Sequence, residues 1–202
     1  MPTLMVDLIT SLDGNASARG WPGWWGLEGP EYLGWLQEDQ PDDGYLTLMG
    51  ATTYRLMSQM STDAAGEGGG DFRTEEADSL SGLDAMQKVV FSSTLTEPLA
   101  WPNSTLVTGD PVEAVRSMKA EGTSSLRTLG SLSLCRSLLR AGLVDRFRLV
   151  VFPVITGATG EERVYDGYPD VALELVESRT FDGRSQLLEY VPTVLDGPPG
   201  AT

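Results

Sequence analysis

The sequence predicts an α/β protein with a mainly parallel central sheet, helices on both faces and an antiparallel hairpin at the C-terminus. Three observations predict it. Short apolar runs alternate with segments of helical period over most of the 202 residues. The first run, "TLMVDLITSL" (3–12), is nearly continuous in apolar residues, as a strand covered on both faces requires. Near the other end, "LELVESRTF" (173–181) and "RSQLLEYV" (184–191) flank Asp182-Gly183, a pair suited to a tight hairpin turn.

The elements follow in order. After the first strand, "SLDGNAS" (11–17) turns, and a Gly/Trp-rich loop carries Trp21, Trp24 and Trp25. "PEYLGWLQED" (30–39) is a short helix, with Pro30 at its first position and Tyr32, Leu33, Trp35 and Leu36 on one face. "YLTLMG" (45–50) is a strand and "ATTYRLMSQM" opens a helix. Residues 61–84 are polar, acidic and glycine-rich, and read as a long surface loop. "KVVFSST" (88–94) and "STLVTG" (104–109) are strands. "DPVEAVRSMKAEG" (110–122) is a helix capped by Asp110 and closed by Gly122. "SLRTLG" (125–130) is a strand, and "SLSLCRSLLRAG" is its helix, stopped at Gly142. "RFRLVVFPVI" (146–155) is a strand and "TGATGEE" a turn. One domain is expected over 1–191, with a flexible tail at 192–202.

Composition removes several classes of function. The formal net charge is −15, and a surface this negative repels nucleic acid and anionic membranes. No apolar run approaches the ~20 residues of a membrane span, and "MPTLMVDLIT" lacks the basic start of a secretory leader. The cytoplasm is the expected compartment. The chain contains no histidine and one cysteine, Cys135. Triads with a histidine base are excluded, along with most zinc and non-haem iron sites, and no metal is expected. Proton transfer falls to Asp, Glu, Tyr, Lys or water. Cys135 reads as a small buried helix residue or as a nucleophile.

Four strand ends share a theme: "SLDG", "MGATTY", "FSST" and "LGSLS" are rich in glycines and hydroxyls. Such ends let a backbone approach a ligand and offer neutral donors to phosphate oxygens, and a parallel sheet brings its strand ends to one rim. At Gly130 and Ser131 a helix N-terminus is suited to an anion, although an ordinary strand-to-helix turn has the same composition. Gly50 and Thr53, and Ser92, Ser93 and Thr94, carry the same two readings. Asp13 either orients or protonates a polar substrate or closes its own turn. Asp7, inside a strand, needs a partner, and an arginine is the expected one. The three tryptophans either wall a flat substrate or pin a loop.

The segments "SLDG", "MGATTY", "KVVFSSTL", "TLGSLSLCRSLLRAGLVDRFRLVVFPVITGATG" and "LELVESRTFDGRSQLLEY" together resemble the reductase domain of the bifunctional riboflavin-biosynthesis deaminase–reductase, a member of the dihydrofolate reductase-like fold. The resemblance covers about residues 3–191. It implies an NADPH-dependent reductase acting on a small heterocyclic or sugar-like substrate, and a homodimer. It places cofactor pyrophosphate near Gly130, Ser131 and Leu132 with Thr53 contributing, beside the strand-end candidate Gly50, and the adenosine ribose and its 2′-phosphate near Ser92 and Ser93. Gly157 and Gly160 match a glycine turn beside the cofactor. Asp13 faces nicotinamide and substrate as the catalytic candidate, with Ser11, Trp25 and Glu31 as further substrate candidates.

The chain departs from this pattern at Ala51, where the family often carries a basic residue toward cofactor phosphate. The lost charge-assisted contact is commonly worth about 1.5–3 kcal/mol. Either Arg55 or Lys88 compensates, or cofactor affinity and the preference for NADPH are weak. A ligand-binding protein without turnover and a true dihydrofolate reductase are the competing functions. The second needs a pterin-binding carboxylate in the first helix, where Glu31 stands.

Overall fold

The computed structural model describes residues 2–21, 23, 25–39, 41, 44–65, 82–198 and 200. It is a mixed α/β fold with a mostly parallel sheet and a C-terminal antiparallel strand pair. The chain divides into two compact units, Met1–Pro2 with Leu33–Ser131, and Thr3–Tyr32 with Leu132–Thr202.

The unit made mainly of Leu33–Ser131 carries four strands: β3 (Leu46–Gly50), β4 (Lys88–Phe91), β5 (Ser104–Val107) and β6 (Leu126–Thr128). They lie in the order β5-β4-β3-β6, and all pairings are parallel. β4 is buried along its whole length, which explains why it reads as an unbroken apolar run after Lys88. Met49, Tyr54, Val90 and Trp101 form its buried core. Helix α2 (Ala51–Ala65) follows β3 without a linking residue. Helix α3 (Pro111–Glu121) begins at Asp110, whose carboxylate accepts the amides of Val112 and Glu113. Gly122 ends it in extended backbone, not the left-handed form. Glycine is needed there because a Cβ would stand 2.5 Å from the Met118 carbonyl oxygen.

In the other unit, β1 (Leu4–Ser11) pairs in parallel with β7 (Arg146–Phe152). β10 (Ser185–Val194) runs antiparallel to β7 and to β9 (Val171–Phe181). Leu4, Val6 and Leu8 fill one fully buried face of β1. Asp7, on the opposite parity, meets Arg148 through two bonds, Nη2 to Oδ2 at 2.8 Å and Nε to Oδ1 at 3.2 Å, as a carboxylate in a strand demands. Helix α4 (Leu132–Arg140) buries Leu134, Cys135, Leu138 and Leu139. Cys135 thus has the core role of its two readings.

The structure corrects three expectations. β2 (Asn15–Ala18) and β8 (Gly160–Arg163) form a small antiparallel pair where turns were expected. They are too short and polar to show a strand period. The loop expected at 61–84 is helical at 61–65, which completes α2, and again at 82–85; residues 66–81 lie outside the described residues. The tail expected from 192 is strand through Val194, because β9 begins early enough, at Val171, to pair with it. No helix of the described residues is long and apolar enough to cross a membrane.

Candidate functional site

The strand ends of the Leu33–Ser131 unit carry a hydroxyl relay. Gly130 and Ser131 both have left-handed backbone, at φ 55° and 62°, and this bend ends β6 and starts α4 at Leu132. It swings the Ser131 side chain onto the end of β3. The Gly50 amide donates to Ser131 Oγ at 2.8 Å, and Ser131 Oγ donates to Thr53 Oγ1 at 2.8 Å. The Leu129 carbonyl, at 3.3 Å, is its weaker alternative acceptor. The sequence assigned Ser131 to an anion, but its hydroxyl first joins two strand ends. The proton it gives to Thr53 leaves Thr53 with its own hydroxyl proton to donate. Gly130 leaves open the space where a Cβ would press on Thr53 at 3.2–3.3 Å.

At the end of β4, Ser92 Oγ accepts the amides of Thr94 and Leu95, both at 3.1 Å. That is the turn-closing role. Ser93 is exposed. Arg55, exposed on α2, donates from Nη2 to Thr94 Oγ1 at 3.3 Å. Lys88 does not reach this turn, which corrects the expectation that it could compensate for Ala51. Its side chain is buried, and Nζ donates to the carbonyl oxygens of Leu83, Met86 and Asp84 at 2.6, 2.7 and 3.2 Å. Burial, opposed by the Asp84 charge, pulls its pKa down to about 8.

In the other unit, Asp13 is the centre of a polar knot. Its Oδ1 accepts Ser11 Oγ at 2.7 Å and the Thr156 amide at 3.1 Å, and its Oδ2 accepts Asn15 Nδ2 at 3.1 Å and the Gly157 amide at 3.0 Å. Thr156 Oγ1, within 3.4 Å of both oxygens, also accepts from Asn15 Nδ2 at 2.9 Å. The Ser11 hydroxyl and then the Thr156 amide hold the carboxyl far below its ordinary value, so these donors favour the carboxylate form. Asp13 ties the turn after β1 to the turn after β7, and Ser11 belongs to the same tie, its Oγ also accepting the Asn15 amide. Gly157 adopts φ 49°. Gly160 faces Asn15 Nδ2 and Thr156 Oγ1, each 2.5 Å from where its Cβ would be, so its smallness makes room for the knot itself.

Glu31 is exposed, and one of its carboxylate oxygens is engaged by the hairpin. Its Oε2 accepts the Asp182 amide at 2.5 Å, while Asp182 accepts the amides of Glu31 and Tyr32 at 3.1 and 3.3 Å. Trp25 has left-handed backbone at φ 54°, and its ring lies 5.7 Å from that of Phe152. Its Nε1 is buried with no partner among the described residues. Trp24 lies outside the described residues. Among those described, no cluster of residues suits a metal ion.

Asn15, Thr156 and Asp182 are the functional neighbours the sequence left unmarked. Asn15 and Thr156 each adjoin a marked glycine turn. Asp182 was marked only for its turn, since nothing local to it points 151 residues back to Glu31.

A family model for the RibD C-terminal domain matches residues 2–187. The chain is 26% identical over 183 residues to YyaP, an uncharacterised protein of Bacillus subtilis (strain 168), covering 88% of each. Its fold is similar to that of a riboflavin biosynthesis protein from Shewanella sp. PV-4, with TM-score 0.68, 19% identity, and coverage of 95% of this chain and 99% of that one. It is also similar to a Thermotoga maritima diaminohydroxyphosphoribosylaminopyrimidine deaminase/5-amino-6-(5-phosphoribosylamino)uracil reductase, with TM-score 0.62 and 16% identity. That match covers 95% of this chain and 57% of the bifunctional one.

Proposed function

The chain belongs to the RibD C-terminal domain family, and on that premise we propose that it is an NADPH-dependent reductase of the riboflavin-biosynthesis type. Its substrate is a small heterocycle or sugar-bearing molecule reduced at a C=N or C=O group. When bound, the dinucleotide supplies the hydride; the chain's own residues bind and orient.

The relay from Gly50 through Ser131 to Thr53 supports this reading most directly. It passes one amide donor through two hydroxyls and ends on a proton that suits a phosphate oxygen. Gly130 keeps the space beside it clear. Hydroxyls and amides are the donor set that can hold an anion on a chain of net charge −15, since they need no compensating acid. Gly50, Thr53, Gly130, Ser131 and Leu132 hold pyrophosphate in this proposal. Asp13 acts as a positioning residue that keeps the turns carrying Ser11, Thr156, Gly157 and Gly160 in place. The buried Trp25 Nε1 is assigned to a substrate acceptor.

The uracil derivative in the Thermotoga protein's name is the first substrate to try. Tryptophan fluorescence with NADPH should show saturable binding, and Gly130→Asp, which adds bulk and negative charge against Thr53, should abolish it. Unchanged affinity in that variant would remove the phosphate placement. NADPH oxidation in the presence of 5-amino-6-(5-phosphoribosylamino)uracil tests turnover. A cofactor-binding protein without turnover is the second reading, and one observation favours it: Ala51 supplies no charge. The bond from the Asp182 amide to Glu31 Oε2 weighs against a dihydrofolate reductase, which needs a first-helix carboxylate for the pterin. A homodimer belongs to the proposal. Leu173, Leu175 and Val194, exposed and paired in register with Pro192, Tyr190 and Val171, offer it an apolar face that sedimentation can test.

A further inference from the structure

We infer that Arg136, Arg140 and Arg163 form a second anion site, at the C-terminal end of α4, which takes a tetrahedral oxyanion: phosphate, free or as a monoester. The inference goes beyond the reductase reading. It uses none of the residues assigned there to the dinucleotide or the substrate, and it stands or falls separately.

Three arginines converge on one turn, the one that follows β8. Arg136 Nη1 donates to the Asp166 carbonyl at 2.7 Å, and Arg140 Nη2 donates to the Gly167 carbonyl at 2.8 Å. Arg163 Nε lies 3.6 Å from Asp166 Oδ1. Arg136 and Arg140 stand one turn apart on α4, and two consecutive carbonyls hold their heads side by side. Like charges at that spacing repel. Neither meets a carboxylate among the described residues, although Asp166 belongs to the same turn; its carboxylate goes to Arg163. The charges do not close. Three guanidiniums face one carboxylate, and the carbonyl end of a helix offsets only about half a charge, so about one and a half positive charges are left over. That surplus stands out on a chain of formal net charge −15. Clamping the turn also uses little of what is present. Arg136 and Arg140 each give it one bond, and a guanidinium carries five donors. Two planar forks side by side suit the several oxygens of a phosphate better than a spherical halide. Arg140 and Arg163 are exposed, so a ligand can reach them.

The test is equilibrium dialysis of the full chain against radiolabelled inorganic phosphate, in about 0.1 M sodium chloride so that distant charges are screened. Wild type should bind saturably. Arg136→Gln and Arg140→Gln should each weaken binding about tenfold. Arg163→Gln should weaken it less, because Asp166 already holds that head. Arg116→Gln, which removes an ion pair with Glu113 on α3, should change nothing. Phosphate should raise the melting temperature of wild type more than chloride of equal ionic strength does, and the α4 variants should lose that difference. Competition with glycerol 2-phosphate separates the two sources: displacement of the label marks a site for monoesters, and its absence marks one for the free ion. Melts without phosphate establish that the variants fold. Should one fail, the Nε–H resonances of Arg136 and Arg140 in wild type read the same contact. Resonances unmoved by phosphate, no saturable binding in wild type, or unchanged binding in both α4 variants would each overturn the site. Loss of binding in Gly130→Asp instead would assign the phosphate to the strand ends and leave the reductase reading standing without this one.

Discussion

Asp182, in the hairpin between β9 and β10, caps helix α1 (Pro30–Glu38) at Glu31, and Glu31 caps Asp182 in return. Pro30 has no amide hydrogen, so the first donors of α1 are those of Glu31 and Tyr32, and both go to the Asp182 carboxylate. The residue before the helix, where a capping side chain would normally stand, is Gly29. A Cβ there would lie 2.1 Å from Asp182 Cγ. The cap has been moved from the helix to the hairpin, and the local position emptied to admit it.

That exchange predicts a sign reversal. Gly29→Ala should destabilise the wild type by more than an ordinary surface change, since either the Ala methyl or the cap must move. Asp182→Gly should cost about 0.5–2 kcal/mol, the usual worth of a helix cap. Glycine tolerates the φ of 53° at that position, so the loss isolates the side chain. In the Asp182→Gly background, Gly29→Ala should become neutral or stabilising. Urea denaturation of the four proteins measures the coupling; additive effects would mean that the two residues do not compete for one space.

The relay makes a second prediction that separates binding from folding. Thr53→Val keeps the shape and removes the terminal proton, so NADPH affinity should fall about tenfold with little change in melting temperature. Ser131→Ala strips the Gly50 amide of its acceptor and should cost about 1–3 kcal/mol of stability as well as affinity. Isothermal titration and melts on the same samples distinguish the two. If Thr53→Val binds NADPH as wild type does, the relay ends on no phosphate.

How much of this was written in the sequence follows from which interactions are local. The first strand, the α3 cap at Asp110, and the hairpin at Asp182-Gly183, both with left-handed φ, depend on neighbours a few residues apart and were legible. The pairing of Asp7 with an arginine was legible as a need, although Arg148 could not be named. The roles of Asp13 and Glu31 were not legible. Each has the right side chain at a plausible strand or helix end, and part of what decides its chemistry is donors more than 140 residues away. Lys88 is the same case in reverse: a lysine after an acidic segment reads as exposed charge, until three backbone carbonyls and the Trp101 ring, 4.6 Å from Nζ, enclose it.

Lys88 therefore belongs to the fold. Lys88→Ala should lower stability by orphaning the carbonyls of Leu83, Asp84 and Met86, and should leave NADPH affinity unchanged in the protein that remains folded. Burial has lowered its pKa from 10.5 to about 8, so between those values the unfolded chain holds the proton more tightly. Stability owed to this group should thus rise with pH across that window, and the gap between wild type and Lys88→Ala should widen. Denaturation at several alkaline pH values reads it; a constant gap would mean that the ammonium is not desolvated.

Asp13 predicts the opposite limb. The Ser11 hydroxyl and the amides of Thr156 and Gly157 hold its folded pKa well below the ordinary 3.8. As the pH falls, the unfolded chain takes the proton first, so stability from the knot is fully present above 3.8 and drains away below it. Asp13→Asn should be less stable than wild type at neutral pH, because an amide accepts at one atom only and its NH₂ meets the Asn15 and Gly157 donors head-on. The difference should shrink steadily once the pH passes below 3.8, as wild type protonates too. If Asp13 were instead the acid that serves the substrate, the variant would lose turnover while keeping its fold, and the two acid-unfolding curves would run parallel. Parallel curves would return Asp13 to the reaction; converging ones leave it as the peg on which two loops hang.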